Sequence, residues 1–197
     1  MIVLKILGMN SSGRNGTTHR LLKTVLSASQ TLPERSGWTD VQVTTDIINL
    51  ESMHLPAMST AQRVPAHPPE MIRTLLTRLL VADGLIWASP TRWWGPNAVM
   101  QKFLEWLDHL EAPDYQLKGK PVGFLTGCEE DGGQATINTM AAVAMHLGMI
   151  IPPHTAFFTN SNMATKSHEQ WMLHPGIVGE NIVKMHLRLL GRPVTWS

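Results

Sequence analysis

Five short apolar runs along the chain have the β-branched and aromatic content typical of strands, and several are bounded by Gly or Pro. Longer segments lie between them, and there the apolar residues recur at helical spacing. The predicted strands are residues 2–7, 41–50, 84–90, 120–127 and 148–158. The pattern therefore predicts alternating strands and helices.

Each predicted helix has an apolar side. Leu21, Leu22, Val25 and Leu26 follow an i, i+1, i+4, i+5 spacing, which repeats over residues 72–80 and 99–110. Residues 135–147 are apolar nearly all round, and residues 177–190 close the chain as a last helix. Two segments, 51–69 and 159–175, lack either period and are predicted to be irregular loops.

This order of elements predicts an α/β fold. Strands separated by helices cannot be joined by tight turns, so they pair in parallel. The economical architecture is a doubly wound, five-stranded parallel sheet with helices on both faces. In such sheets ligands bind beyond the carboxyl ends of the strands. We therefore expect the functional site to follow Leu7, Ser89 and Thr126.

The composition narrows the class of protein. The chain has 197 residues, 43% of them hydrophobic and 16% charged, with a formal net charge of +1, which predicts one soluble domain (1–197) without a nucleic-acid surface. The single cysteine, Cys128, excludes an intramolecular disulfide and favours a reducing, cytoplasmic compartment. The longest apolar stretch is broken by His146, so no membrane span is predicted. The nine histidines lack metal-site spacing, so no metal is predicted.

The most informative segment, residues 8–22, leads from the first strand into the first helix through small and hydroxyl residues. Its hydroxyl residues are Ser11, Ser12, Thr17 and Thr18. A helix N-terminus has unpaired N–H groups and a positive dipole end, so this composition favours a phosphate site. The first 33 residues include Arg14 and other cations but no Asp or Glu. The alternative is that the hydroxyls cap the helix and the glycines form a turn.

Two well-known phosphate loops do not fit this segment. Arg14 and Asn15 stand where a Walker A loop requires Lys and Ser or Thr. The Gly-x-Gly-x-x-Gly fingerprint of dinucleotide-binding proteins cannot be placed on it either. The pattern thus indicates a phosphate ligand without Mg-nucleotide chemistry.

A second candidate segment, residues 88–108, follows the third strand. Pro90 and Gly95 permit a sharp loop whose backbone approaches a flat ligand, and Trp93 and Trp94 offer rigid ring faces. The polar residues around them are Thr91, Arg92 and Asn97. The alternative places each tryptophan beneath the loop or in a subunit contact.

A third candidate segment, residues 126–139, follows the fourth strand. Gly127, Gly132 and Gly133 bring its backbone close to a ligand before a helix begins. Its carboxylates, residues 129–131, are interpreted as solvated, with Asp131 capping the helix. Cys128 is interpreted as structural, because no Cys-x5-Arg cradle or neighbouring His accompanies it.

Together these loops resemble those of the NADPH-dependent FMN reductase family of the flavodoxin-like superfamily, which includes small quinone and azo-compound reductases. The resemblance covers residues 1–158. Ser12, Arg14 and Thr18 fall on the Ser, Arg and Thr of the family's first loop, with Ser11 in place of the leading Gly. The residues that resemble the second motif and the helix after it are Ser89, Pro90, Trp94, Gly95, Lys102, Phe103 and Asp108.

The chain also departs from the family pattern. Trp93 stands at the position of the family's Tyr, Arg92 occupies a usually apolar site, and the following helix lacks the usual Lys-Asn-Phe-x-Asp-Arg sequence. These departures leave the electron acceptor and the choice between NADH and NADPH open. For Arg92, three roles stay open: the flavin pyrimidine edge, an NADPH phosphate, or an acidic neighbour.

The resemblance implies a flavodoxin-like sheet of strand order 2-1-3-4-5 that binds FMN and uses NADPH or NADH as co-substrate. It implies a ping-pong scheme in which hydride passes through flavin N5 to a quinone, free flavin or other small acceptor, without a catalytic side chain. The implied FMN-binding residues are Ser11, Ser12, Arg14, Thr17, Thr18, Pro90, Thr91, Arg92, Trp93, Trp94, Gly95, Thr126, Gly127, Gly132 and Gly133.

Family members commonly form dimers or tetramers, so we expect a homodimer or homotetramer. The apolar helix 135–147 and Trp106, expected on the exposed side of its helix, favour this. Two alternative functions remain: a flavodoxin-type FMN electron carrier without NAD(P)H oxidation, and a non-enzymatic phosphate-ligand binding domain. Flavodoxins tend to be strongly acidic, and this chain is not.

Overall fold

Six strands form the sheet of the computed structural model, which describes residues 1–13, 15–58, 67–160 and 168–196. The strands are β1 (Ile2–Asn10), β2 (Val41–Asn49), β3 (Gly84–Arg92), β4 (Gly95–Pro96), β5 (Val122–Gly127) and β6 (Ala156–Thr159). Five pair in parallel in the order β2-β1-β3-β5-β6, and β4 pairs antiparallel with the end of β3. The fourth and fifth predicted strands are β5 and β6 in this numbering, so the predicted doubly wound sheet of order 2-1-3-4-5 is confirmed. The sequence does not predict β4, because two residues carry no periodicity.

Helices cover both faces of the sheet. They are α1 (Thr17–Arg35), α2 (Glu70–Val81), α3 (Ala98–Trp106), α4 (Gly133–His146) and α5 (His168–Leu189), with 3-10 turns at Leu50–Met53 and Leu107–Leu110. Helices α1 and α5 pack against each other on one face. The others contribute to the apolar cluster on the opposite face. None of the described helices is long and apolar enough to cross a membrane.

Two apolar clusters sandwich the sheet. On the side of α2, α3 and α4, the Trp87 ring packs edge-on against Phe103 and Phe124, with 5.7 and 5.8 Å between ring centroids. On the other side, Leu22 of α1 and Ile182 of α5 are fully buried. A parallel sheet is normally covered on both faces, as this one is. The packing holds the strands in place, and with them the strand ends from which the loops extend.

Trp106 is buried, and the expectation that it lies on the exposed side of its helix is wrong. Its relative exposure is 4%. Its Nε1–H donates a hydrogen bond to Pro56 O at 2.9 Å. The segment after β2 therefore covers this side of α3, a contact that helical periodicity alone does not reveal.

The last strand and helix differ from their predicted bounds. Pro152 and Pro153 have no N–H for a ladder, so β6 covers Ala156–Thr159, and upstream Ile150 makes an isolated bridge to Pro121. Helix α5 begins at His168, so the expectation of irregular structure is wrong for residues 168–175. The sequence misses this part because the apolar stripe of α5 begins only near Ile177. Residues 161–167 lie outside the described part of the chain.

Candidate functional site

Three loops meet at the carboxyl edge of the sheet: the first loop (described at residues 11–13 and 15–16), the second loop (residues 90–97) and the third loop (residues 127–132). A Cβ atom on Gly127 would lie 3.2 Å from Thr18 Oγ1, and one on Gly132 would lie 3.0 Å from Trp94 Cα. The Asn97 side chain donates a hydrogen bond from the second loop to Ser11 O, at 2.7 Å. The segments predicted to form a site are therefore brought together.

Buried hydrogen bonds hold the first loop in place. Asn10, at the end of β1, accepts at Oδ1 from the N–H and the hydroxyl of Ser12 and donates to Ser12 O. The N–H and the hydroxyl of Ser11 both point to Ala88 O on β3, at 3.0 and 3.3 Å. Ser11 thus anchors the loop to the sheet. Sequence analysis missed Asn10, although a lone amide at the end of an apolar strand is a signal.

Within the described residues, no side chain caps the start of helix α1. Its N-cap, Gly16, has no capping side chain, and its first turn has no acidic residue. The first N–H groups of a helix have no intrahelical acceptor, so this end attracts an anion. Thr18 is buried and Thr17 is exposed. Arg14, predicted for the same site, lies outside the described residues.

Both tryptophans of the second loop project into water. Trp93 and Trp94 have φ values of +49° and +65°, in the left-handed region, and exposures of 97% and 65%. This backbone conformation is costly for bulky residues. The structure therefore shows two strained aromatic residues at the rim of the site, and the alternative of packing beneath the loop does not hold.

Arg92 lies beside these tryptophans, at the end of β3. Its side chain is exposed and forms no ion pair with any residue in the described ranges. The role as partner of an acidic neighbour thus finds no support in this structure. The guanidinium stays available at the rim of the site.

Three buried threonines connect the second and third loops with helix α4. Thr91 Oγ1 lies 2.9 Å from Thr126 Oγ1 and 2.9 Å from Thr136 Oγ1, within hydrogen-bond distance of both. Thr91 and Thr126 were expected near the ligand, whereas Thr136 was not singled out. Its signal is weak, because a helical threonine usually bonds its own helix.

The third loop enters helix α4 through a glycine. Gly132 is the N-cap, with φ +85° and no capping side chain, so the interpretation of Asp131 as the cap is wrong. A positive φ suits glycine, and a Cβ there would contact Trp94 backbone at 3.0 Å. Carboxylates 129–131 are exposed.

Cys128 has the contacts of a structural cysteine. Its N–H and Sγ donate to Thr159 O of β6, at 2.8 and 3.3 Å. Burial raises the pKa of this thiol above its ordinary value, so it stays protonated near neutral pH. The thiol therefore ties the third loop to the edge strand.

Comparison with known proteins identifies the family. The sequence matches the NADPH-dependent FMN reductase family over residues 4–163. The chain belongs to this family. The FMN reductase family makes the protein a flavin-dependent reductase, as the resemblance of its loops implied.

Solved structures share the fold of this FMN reductase family member. An oxidoreductase from Corynebacterium diphtheriae is 12% identical, with 95% of this chain and 99% of that chain covered and a TM-score of 0.76. RosB, solved with bound 8-demethyl-8-formylriboflavin-5′-phosphate, is 18% identical over 97% and 82% of the two chains, with a TM-score of 0.73. The NADH:FMN oxidoreductase EmoB is 17% identical over 96% and 92%, with a TM-score of 0.61. A search of the curated proteins found no match.

Proposed function

We propose that the protein is a single FMN-binding domain over residues 1–197. It acts as an NAD(P)H oxidoreductase that reduces a quinone, free flavin or other small acceptor. The observation that carries this proposal is the meeting of the uncapped N-terminus of α1 with two further loops at one edge of the sheet. FMN has a phosphate and a ring system joined by a short chain, so it needs an anion site next to a surface for the ring, and the helix N-terminus and the two loops offer these side by side.

The first loop fits the phosphate end of FMN. The Thr18 hydroxyl and the N–H groups of the first turn of α1 are donors, and the helix dipole favours a dianion there. The Ser12 hydroxyl donates to Asn10 Oδ1 in this structure, so it binds the phosphate by turning its O–H bond away from Asn10. Thr17 and Arg14 complete this proposed set, and Ser11 holds the loop on β3 through Ala88. Because no acidic residue lies in that turn, a bound anion meets no repulsion from it.

The second and third loops fit the flavin ring. Glycines allow backbone N–H groups to approach a flat ligand, and the exposed tryptophan faces offer stacking surfaces. Thr91 and Thr126 brace these loops from inside. The residues assigned to the ring side are Pro90, Thr91, Arg92, Trp93, Trp94, Gly95, Thr126, Gly127, Gly132 and Gly133.

The chemistry needs no acid or base from the chain. When bound, FMN supplies the redox chemistry, taking a hydride from NAD(P)H and passing two electrons to the acceptor in a ping-pong scheme. Arg92 and the backbone N–H groups of the glycine loops favour negative charge at the site. The exposed rim leaves room for NAD(P)H and the acceptor to bind in turn.

Two measurements test the proposed function. The purified protein, titrated with FMN, is expected to bind it and to absorb between the violet and the blue. The loaded protein is expected to oxidise NADPH or NADH faster with menadione, with parallel double-reciprocal lines. A protein that takes up no FMN refutes the proposal. FMN binding without NAD(P)H oxidation identifies an electron carrier instead.

We also propose a homodimer or homotetramer. Trp106 no longer supports it, since this residue is buried. The remaining support is the outer side of α4, where Met145 is 67% exposed, together with the exposed Trp93. Size-exclusion chromatography with light scattering tests this, and a monomer at micromolar concentration refutes it.

A further inference from the structure

Asn97 holds three separate segments of the chain together. Its Nδ2 donates to Ser11 O at 2.7 Å, across 86 residues of sequence. Its Oδ1 accepts the Met100 N–H at 3.0 Å, which caps helix α3. Its backbone N–H donates to Ser89 Oγ at 3.1 Å. One residue therefore connects the first loop, the start of α3 and the end of β3.

The bond to Ser11 fixes the direction of a peptide unit in the first loop. In a trans peptide the carbonyl of one residue and the N–H of the next point in opposite directions. Asn97 takes the Ser11 carbonyl, and Asn10 Oδ1 takes the Ser12 N–H at 3.2 Å. The peptide between Ser11 and Ser12 is thus held from both sides, which sets where the rest of the loop lies.

We propose that Asn97 is a positioning residue for the phosphate end of the cofactor. It holds the first loop against the start of α1, where Ser12 Oγ would lie 3.4 Å from a Cβ atom on Gly16, so that the loop and the first turn of α1 border one anion. This inference rests on the proposed function. The bond to Ser11 acts on the first loop, whereas the cap acts on α3, so the two roles of Asn97 are separable.

Riboflavin separates these roles because it has the ring and side chain of FMN but no phosphate. Loss of the Asn97–Ser11 bond weakens FMN binding and leaves riboflavin binding unchanged. Loss of a purely structural residue weakens both. The ratio of the riboflavin Kd to the FMN Kd therefore reports the phosphate interaction alone.

The variants Asn97→Ser and Asn97→Gly test this, because both residues are accepted at an N-cap and neither reaches Ser11. We expect the Kd ratio to fall about tenfold in both, the size of one lost hydrogen bond. Urea unfolding is measured alongside. The matched control, Ser89→Ala, removes the two hydrogen bonds between Ser89 and Asn97 and keeps the one to Ser11, so its ratio stays at the wild-type value.

Each other outcome overturns the assignment. A wild-type ratio in the Asn97 variants, an equal fall in Ser89→Ala, or failure of both Asn97 variants to fold makes Asn97 a structural residue. In those cases the wild-type protein still prefers FMN, and the proposed function stands. A wild-type protein that binds neither flavin refutes the proposed function and this inference with it.

Discussion

Asn10 Oδ1 accepts two hydrogen bonds from Ser12, one from its N–H at 3.2 Å and one from its hydroxyl at 2.8 Å. The Asn10 amide also donates to Ser12 O and to Asn49 Oδ1, both at 2.9 Å. Asn10 itself is fully buried. Buried backbone N–H and C=O groups need hydrogen-bond partners, and here the Asn10 amide supplies those that water would otherwise provide to the loop.

We expect Asn10→Ala to destabilise the fold and weaken FMN binding together. The change leaves buried groups of Ser12 unpaired, which costs about 1–3 kcal/mol of unfolding free energy. Urea unfolding and FMN titration measure the two effects. The control Asn49→Ala removes a single bond of Asn10, and its losses are expected to be smaller. Wild-type stability and affinity in Asn10→Ala contradict this account of the loop.

Trp93→Gly is expected to separate stability from binding. Trp93 is 97% exposed at φ +49°, so its side chain buries almost nothing while its backbone is strained. Relative to Trp93→Ala, the Gly variant is expected to be more stable by about 1 kcal/mol, because only Gly accepts this φ without cost. Both variants lose the ring and are expected to bind FMN more weakly. Equal stability of the two variants argues against strain at this residue.

Thr91→Val is expected to lower the unfolding free energy by about 1–3 kcal/mol, because it leaves the buried hydroxyls of Thr126 and Thr136 without their shared partner. Valine has nearly the same shape, so the loss isolates the hydroxyl. Thr91→Ser restores that group and is the matched control. If the Val and Ser variants unfold at the same urea concentration, the three hydroxyls do not stabilise the junction.

His109 makes stability depend on pH. Its ring stacks on Trp106, with 5.5 Å between centroids, and burial lowers the pKa of His109 below its ordinary value. As pH falls below about 6.5, the unfolded chain takes up this proton before the folded one does, so stability falls. His109→Phe keeps a stacking ring without a titrating group.

Urea unfolding between about pH 7.5 and 5 checks this, since an ordinary histidine of the unfolded chain gains its proton within that interval. The wild-type protein is expected to lose more stability than His109→Phe as the pH falls. Above about pH 7.5, His109 is neutral in the folded and in the unfolded chain. The difference in unfolding free energy between the wild-type protein and His109→Phe is therefore expected to stay constant there. Parallel curves over the whole interval contradict the prediction.

The alternation of strands and helices follows from the sequence because apolar runs and glycine-rich strand ends are local features. The strand order is a long-range property, and here it is implied by the resemblance of the loops to those of a known family. The predicted strand over residues 148–158 is too long, since Pro152 and Pro153 interrupt its hydrogen bonding. The start of α5 at His168 is missed because the first residues of this helix do not show the apolar spacing that identifies the rest of it.

The supports of the site are long-range and therefore escape sequence patterns. Asn97 reaches Ser11 across 86 residues, and Asn10 reaches Asn49 across 39. Trp106 is covered by the chain around Pro56, which no helical wheel includes. The sequence locates the loops, and only the folded sheet shows which amides and hydroxyls hold them in place.

The placement of the tryptophans gives this protein two optical reporters. Of its seven tryptophans, Trp93 and Trp94 stand in water, whereas Trp87 and Trp106 are enclosed by the core. A flavin bound at the rim, as proposed, is therefore expected to quench the long-wavelength emission first. Unfolding instead shifts the short-wavelength emission of the enclosed pair to the red. One fluorescence spectrum thus distinguishes occupancy of the rim from loss of the fold.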